Sequence, residues 1–175
     1  MLNIFVTVGT TKFDKFIRAI TDIECIKVLE KRGCQHLTLQ IGNGDYIPEY
    51  SKVGSVSIEY YRFKDTIKED LQRADLVISH AGAGSCLETL ELEKALLVVV
   101  NEDLMNNHQI EVAKKLSDCG YLYYTTCGKL SETLRMMDLS RLRMYPKRDP
   151  CKYANAIDNI MGFRRGYMDF TVVTF

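Results

Sequence analysis

The chain has 175 residues, of which 46% are hydrophobic and 26% charged, as in an ordinary globular domain with its own core. Its 23 basic residues balance its 23 acidic residues, so a nucleic-acid partner held by bulk electrostatic attraction is not expected. The six cysteines include no Cys-x-x-Cys pair, which argues against a zinc site and is typical of reduced thiols in the cytosol.

Apolar runs and helical patterns alternate along the chain. Strands are predicted at residues 4–8, 37–41, 56–60, 76–78, 95–100 and 121–125. Helices are predicted around residues 13–20 and 26–29, then at 65–73, from residue 85, and at 106–119, 130–137 and 150–161. This alternation predicts right-handed β-α-β units and an α/β fold, a Rossmann-like and mainly parallel sheet with helices on both faces.

The two ends of the chain carry separate expectations. Residues 1–8 lack a basic region and a long apolar stretch, so no signal peptide is expected, and the aliphatic run at 95–100 is too short to span a bilayer. We predict one domain over residues 1–162. Residues 163–175 form an apolar tail that either packs on this domain or docks on a partner. The basic excess in residues 141–165 indicates a solvated surface or attraction to an anionic membrane.

The segment 75–91 is the most informative part of the chain. A short apolar strand leads through a turn of small residues into an amphipathic helix, and this arrangement aims backbone N–H groups and a positive helix end at an anion. Leu87 stands where a dinucleotide fingerprint needs its third glycine, so nicotinamide binding is disfavoured. The turn therefore predicts a phosphate-bearing ligand that is not a dinucleotide.

Two polar side chains near this turn allow more than one interpretation. Ser85 and Glu88 have the spacing of a capping box, in which Glu88 would only bond the Ser85 N–H. A carboxylate there is equally suited to bind a ribose diol, because both its oxygens accept hydrogen bonds. His80 alone is more often structural than functional.

Two further loops follow predicted strands. Gly9, Thr10 and Thr11 form a turn that offers hydroxyls to a phosphate, although Thr11 and Asp14 also fit a simple helix-capping pair. Residues 106–109, Asn-Asn-His-Gln, open a helix with groups that can read sugar hydroxyls, or merely cap it. Three polar helix starts at strand ends together predict a crevice for a sugar diphosphate. No Asp-x-Asp occurs, so a metal-dependent nucleotide-sugar site is not expected. No cofactor is expected either.

The residues of these loops closely resemble glycosyltransferase family 28, in particular the cytosolic subunits of the eukaryotic UDP-N-acetylglucosamine transferase of the dolichol pathway. The resemblance is carried by residues 5–11, 78–90 and 104–109, and more weakly by 61–65 and 137–140, within a match from about residue 3 to 146. It implies the donor-binding half of a GT-B glycosyltransferase, similar to the C-terminal half of MurG-type enzymes.

The resemblance also implies partners and a reaction. A separate membrane-anchored, acceptor-binding subunit recruits such a chain to the cytosolic face of the endoplasmic reticulum. Together they transfer GlcNAc, with inversion and without metal, from UDP-GlcNAc to the lipid-linked acceptor GlcNAc-diphosphodolichol. No catalytic base is assigned to this chain, since related enzymes take it from the acceptor half.

By the same resemblance, donor-binding roles fall on twelve residues. Glu88 should hold the ribose, backbone near Phe63 should meet the uracil, and the two glycine turns should face the diphosphate. The expected set is Thr10, Thr11, Phe63, His80, Gly82, Ala83, Gly84, Ser85, Glu88, Asn107, His108 and Gln109. An alternative hypothesis is a diverged, non-catalytic module that binds a nucleotide sugar or a partner.

Overall fold

The computed structural model describes residues 2–102 and 108–147, without the side chains of residues 108 and 109. The chain divides into two units, residues 1–145 and 146–175. The first unit is the α/β domain. The second lies almost wholly outside the described residues, as do the predicted helix at 150–161 and the tail, so the boundary at residue 162 stays a prediction.

The described residues form seven strands and six α-helices, one strand more than the sequence predicts. The strands are β1 (Leu2–Thr7), β2 (Cys34–Gln40), β3 (Lys52–Val53), β4 (Val56–Tyr61), β5 (Leu76–His80), β6 (Ala95–Val100) and β7 (Tyr123–Thr126). The helices are α1 (Asp14–Thr21), α2 (Ile23–Lys31), α3 (Lys68–Arg73), α4 (Ala83–Glu91), α5 (His108–Asp118) and α6 (Leu130–Met136).

The strands form one sheet in the order β3-β4-β2-β1-β5-β6-β7. Six of them are parallel, and β3 alone in this sheet runs antiparallel, beside β4. Sequence reasoning missed β3, because two residues are too few to show a period. The order reverses between β1 and β5, and a doubly wound sheet binds its ligands at such a point.

Two apolar layers bury the sheet, one on each face. Alternate residues of the central strands, such as Ile4, Val6 and Ile78, pack against α1, α2 and α6. Phe5, Val77 and their neighbours pack against α3, α4 and α5 on the other face. Because both faces of β5 and β6 are covered, β6 is apolar throughout and β5 is apolar from Leu76 to Ile78.

The second face is polar where it reaches β2 and β4. The helix on that side, α3, has only six residues, so it leaves an open groove along these strands. His36, Thr38, Ser57 and Glu59 line this groove. The alternation of apolar and polar residues in β2 and β4 is therefore the pattern of strands covered on one face only.

Asp14 does not act as a helix cap, and the predicted pairing of Thr11 with Asp14 is wrong. Helix α1 begins after Phe13 without a side-chain cap. The Asp14 carboxylate instead accepts hydrogen bonds from the backbone N–H groups of Asp45 (3.2 Å) and Tyr46 (3.1 Å). The carboxylate thus holds the loop after β2, a long-range contact that short-range spacing could not reveal.

Gly42 in that loop sets a testable limit on substitution. Its φ is +58°, and a Cβ there would collide with the Thr11 carbonyl and lie 2.9 Å from the Gly9 carbonyl. Gly33 also has positive φ, +87°, but its Cβ would meet nothing within 4 Å. Gly33→Ala should therefore cost about 1–2 kcal/mol of unfolding free energy from backbone strain alone. Gly42→Ala should cost roughly 3 kcal/mol or more, because steric overlap adds to strain.

Urea denaturation of the two variants measures both costs. Equal losses of unfolding free energy for Gly33→Ala and Gly42→Ala would show that the loop after β2 does not press on the turn after β1.

Candidate functional site

The candidate site lies at the carboxyl ends of β1 and β5, where the strand order reverses. The turn after β1, residues 8–12, contains Gly9 with φ +61°. The turn after β5, residues 80–82, leads directly into α4. The two turns face one crevice because β1 and β5 are neighbouring parallel strands.

A buried polar pair fixes the turn after β1. The Thr7 hydroxyl donates to the Gln40 side-chain carbonyl at 2.6 Å and accepts from the Gly9 N–H at 2.9 Å. Both Thr7 and Gln40 are buried, so loss of either partner would leave an unsatisfied polar group in the core. The pair therefore sets where the chain leaves the sheet.

The two predicted threonines of this turn differ in their contacts. Thr10 and Thr11 are both exposed. The Thr11 hydroxyl donates to the Val8 carbonyl at 2.8 Å, so its proton is already used inside the turn. The Thr11 hydroxyl can donate to a phosphate only if it rotates away from the Val8 carbonyl. Among the described residues, the Thr10 hydroxyl shows no comparable hydrogen bond.

The start of α4 is arranged for an anion. Gly82 is the N-cap, no side chain caps the helix, and its first turn contains no acidic residue. The N–H groups of Ala83, Gly84 and Ser85 therefore have no partner within the helix. A Cβ added at Gly84 would meet nothing within 4 Å, so the chain leaves open space beside the first turn of α4. A phosphate placed there would meet free N–H groups and the positive helix end.

The predicted capping box is wrong. Ser85 is the third residue of α4 rather than its cap, and its carbonyl accepts the Thr89 hydroxyl at 2.7 Å. Glu88 is exposed on the same helix. Glu88 therefore does not serve as a capping-box partner of Ser85. Its predicted role in binding a ribose stays a prediction.

His80 lies between the two turns. Its imidazole Nδ1 is 3.4 Å from the Thr7 carbonyl oxygen. A Cβ at Gly9 would come within 3.0 Å of its Cε1, and a Cβ at Gly82 would collide with its Nε2. Both glycines are therefore needed to make room for this ring. Burial lowers the pKa of His80, and the Thr7 carbonyl opposes this shift, so the ring is neutral at pH 7.

The remaining predicted residues are placed only in part. Phe63 follows β4 and is 47% exposed, as a platform for a ligand would be. Asn107 lies outside the described residues, and so do the side chains of His108 and Gln109, although α5 does begin at His108. Their predicted role in reading a sugar stays a prediction.

No metal or membrane feature appears in the part of the chain that the structure describes. Residues 2–102 and 108–147 contain no cluster of three metal-ligating side chains. Within the same residues, every helix is too short or too polar to cross a bilayer.

The fold defines a class: the C-terminal domain of GT-B glycosyltransferases. Residues 3–160 match the model of the glycosyltransferase family 28 C-terminal domain. The structure resembles the NMR structure of ALG13, with a TM-score of 0.66 and 25% identity over 89% of this chain and 94% of that one. It shares the fold of Acinetobacter baumannii MurG, with a TM-score of 0.63 and 19% identity over 92% of this chain and 50% of that one.

Curated relatives agree with this class. The mouse UDP-N-acetylglucosamine transferase subunit ALG13 is 55% identical over 131 residues, 75% of this chain and 11% of the relative. The subunit of the same name from Yarrowia lipolytica is 39% identical over 118 residues, 66% of this chain and 60% of the relative. The chain thus spans about a tenth of the mouse protein. It belongs to glycosyltransferase family 28 and is an ALG13-type member of it.

The buried imidazole predicts a pH dependence of stability. The unfolded chain binds a proton at His80 more tightly than the folded chain does, so acid favours unfolding. The contribution is fully present above the unfolded pKa of about 6.5 and is lost as the pH falls below it toward the lowered folded pKa. His80→Asn should therefore flatten the fall in Tm between about pH 7 and 5.

The exposed His36 on β2 supplies the control variant, His36→Asn. Thermal melts across this pH range test the assignment. An unchanged acid slope in His80→Asn, or an equal flattening in His36→Asn, would contradict it.

Proposed function

We propose that this chain is the donor-binding subunit of a two-part transferase. With a membrane-anchored partner it moves GlcNAc from UDP-GlcNAc to GlcNAc-diphosphodolichol, the second step of N-glycan precursor assembly, at the cytosolic face of the endoplasmic reticulum. The observation that carries this proposal is the uncapped, acid-free start of α4 at the reversal of strand order. Family membership supports the reaction class, and the word subunit in the relatives' names supports a partner.

The site suggests how this chain would aid the reaction. The acceptor hydroxyl attacks the anomeric carbon of GlcNAc, the bond from that carbon to the UDP oxygen breaks, and the configuration inverts. Negative charge then grows on the departing diphosphate. The N–H groups of Ala83, Gly84 and Ser85, which have no partner within α4, would face that charge, and preorganised donors of this kind lower the barrier without a metal.

Proton transfer from the acceptor is assigned to the partner. His80 is neutral at pH 7 and enclosed between two glycines, so it fits the role of a hydrogen-bonding group beside the diphosphate. The chain alone should therefore bind the donor and turn it over poorly.

Reconstitution tests the reaction. Co-expressed with its membrane partner, the chain should transfer GlcNAc to GlcNAc-diphosphodolichol in a β1,4 linkage, at the same rate with and without EDTA, because helix N–H groups rather than a metal neutralise the leaving group. The chain alone should bind UDP-GlcNAc in isothermal titration without transfer.

Three outcomes separate the alternatives. Partner binding without transfer would support the non-catalytic module, and loss of transfer in EDTA would refute the metal-free mechanism. Absence of both transfer and UDP-GlcNAc binding would overturn the proposal.

Substitutions of Glu88 test whether its carboxylate binds the ribose of the donor. Because Glu88 does not cap α4, Glu88→Gln and Glu88→Ala should leave Tm nearly unchanged. Both should weaken UDP-GlcNAc binding by about ten- to a hundredfold, the range expected for losing a charged hydrogen bond to the ribose. Glu132→Gln, at an exposed carboxylate on α6, is the matched control. Unchanged affinity in Glu88→Ala would remove Glu88 from the donor site.

A further inference from the structure

We propose that Arg62 is a positioning residue that fixes the turn after β1 for the donor diphosphate, acting through the loop after β2. Residues 42–46 of that loop are called the brace. The inference rests on the proposed function, since it concerns the same donor site. It adds a role for a side chain to which the sequence analysis assigned none.

Arg62 follows the last residue of β4 and bonds the brace twice. Its Nη1 donates to the Gly42 carbonyl at 3.1 Å and to the Gly44 carbonyl at 2.7 Å. One guanidinium nitrogen carries two N–H groups, so both its protons are used. Each contact is a hydrogen bond from a charged donor, which is stronger than a neutral one.

The brace in turn holds the turn after β1. The Asn43 backbone N–H donates to the Thr11 carbonyl at 3.1 Å. The Asn43 side chain donates from Nδ2 to the Thr10 carbonyl at 3.0 Å. Gly42 approaches the same turn so closely that no side chain fits between them. The chain of contact therefore runs from Arg62 through the brace to Thr10 and Thr11.

The far end of the brace is anchored separately. Asp14 accepts the N–H groups of Asp45 and Tyr46, and Lys12 forms a salt bridge with Asp45. Arg62 is thus the contact that reaches the brace from the β4 side. Removal of Arg62 should loosen residues 42–44 while Asp14 still holds residues 45 and 46.

Fixing these carbonyls has an electrostatic consequence. The Thr10 and Thr11 carbonyl oxygens, which would repel an anion, are tied to Asn43. A trans peptide places its N–H opposite its C=O, and the described residues contain no cis peptide. Holding the Thr11 carbonyl toward the brace therefore aims the Lys12 N–H away from it. A loosened brace would let these dipoles turn, and phosphate binding would weaken.

The position of Arg62 next to Phe63 gives a specific signature. The segment at Phe63 is the one expected to meet the base, while the brace acts on the turn expected to meet the diphosphate. If Arg62 orders the brace, it should mainly affect the gain in affinity that UDP, with its two phosphates, has over uridine. The measurable quantity is the ratio of the Kd of uridine to the Kd of UDP.

Arg62→Met should reduce that ratio about tenfold, equivalent to about 1.4 kcal/mol, and change the Kd of uridine less than about twofold. Arg62→Lys, which keeps a charged donor, should recover part of the ratio. Both ligands can be titrated by NMR against the full chain, with Tm recorded for each variant.

Lys64→Met is the matched control. Lys64 lies two residues along the same segment but pairs with Asp70, at 2.8 Å, and not with the brace. The Lys64→Met substitution removes one positive charge, as Arg62→Met does, and should leave the ratio of the Kd of uridine to the Kd of UDP unchanged. An equal fall in Lys64→Met would show that net charge, not the brace, governs phosphate affinity.

Asn43→Ala tests whether the effect passes through the brace. Because Arg62 and Asn43 act on one loop, the double variant Arg62→Met/Asn43→Ala should lose less phosphate affinity than the sum of the single losses. Fully additive losses, or a lowered Tm with an unchanged ratio in Arg62→Met, would overturn the proposal. If the wild-type chain binds neither UDP nor UDP-GlcNAc, the proposed function itself fails.

Discussion

The close approach of two turns around one imidazole is the constraint on which the rest of the site depends. The His80 ring fills the space between the turn after β1 and the turn after β5, so that a single added methyl at Gly9 or Gly82 would press on it. Parallel strands that leave a sheet side by side diverge into separate helices, and something must occupy the gap between them. A flat, half-buried and neutral ring fills this gap and leaves the helix end beyond it open. An anion can then approach backbone groups from both sides of the crevice.

Polar groups inside the sheet position the turn after β1. Thr7 and Gln40 lie at the last positions of neighbouring strands. The Thr7 hydroxyl donates to the Gln40 side-chain carbonyl and accepts from the Gly9 N–H, and both residues are buried. An apolar pair of similar size would fill the same volume but would not specify where the next residue leaves the strand. Hydrogen-bond geometry is directional and dispersion is not. The turn after β1 is therefore positioned by the sheet beneath it as well as by the loops around it.

The sequence predicted the class of fold because its signals were local and strong. The short apolar runs at residues 76–78 and 95–100, each bounded by turn or helix signals, favoured strands buried on both faces. The small-residue turn before α4 indicated the ligand end of the sheet. Predictions from the sequence were wrong where a side chain bonds residues far along the chain, or where a second residue was available for the same capping position. Ser85 and Glu88 match a capping box, yet Gly82 takes the cap because the strand ends two residues before it and the helix starts at Ala83. Asp14 matches a helix-start pair, yet it bonds residues thirty-one and thirty-two positions away.

The uncapped start of α4 has a consequence for the free protein. No side chain caps the first N–H groups of α4, so these groups have no partner within the helix. A bound phosphate would accept hydrogen bonds from these N–H groups, so the ligand would stabilise the folded domain to which it binds. Occupancy at a hundred times Kd adds about 2.7 kcal/mol to the stability of a folded domain. In a cell the lifetime of this chain would then follow the supply of such a phosphate-bearing ligand.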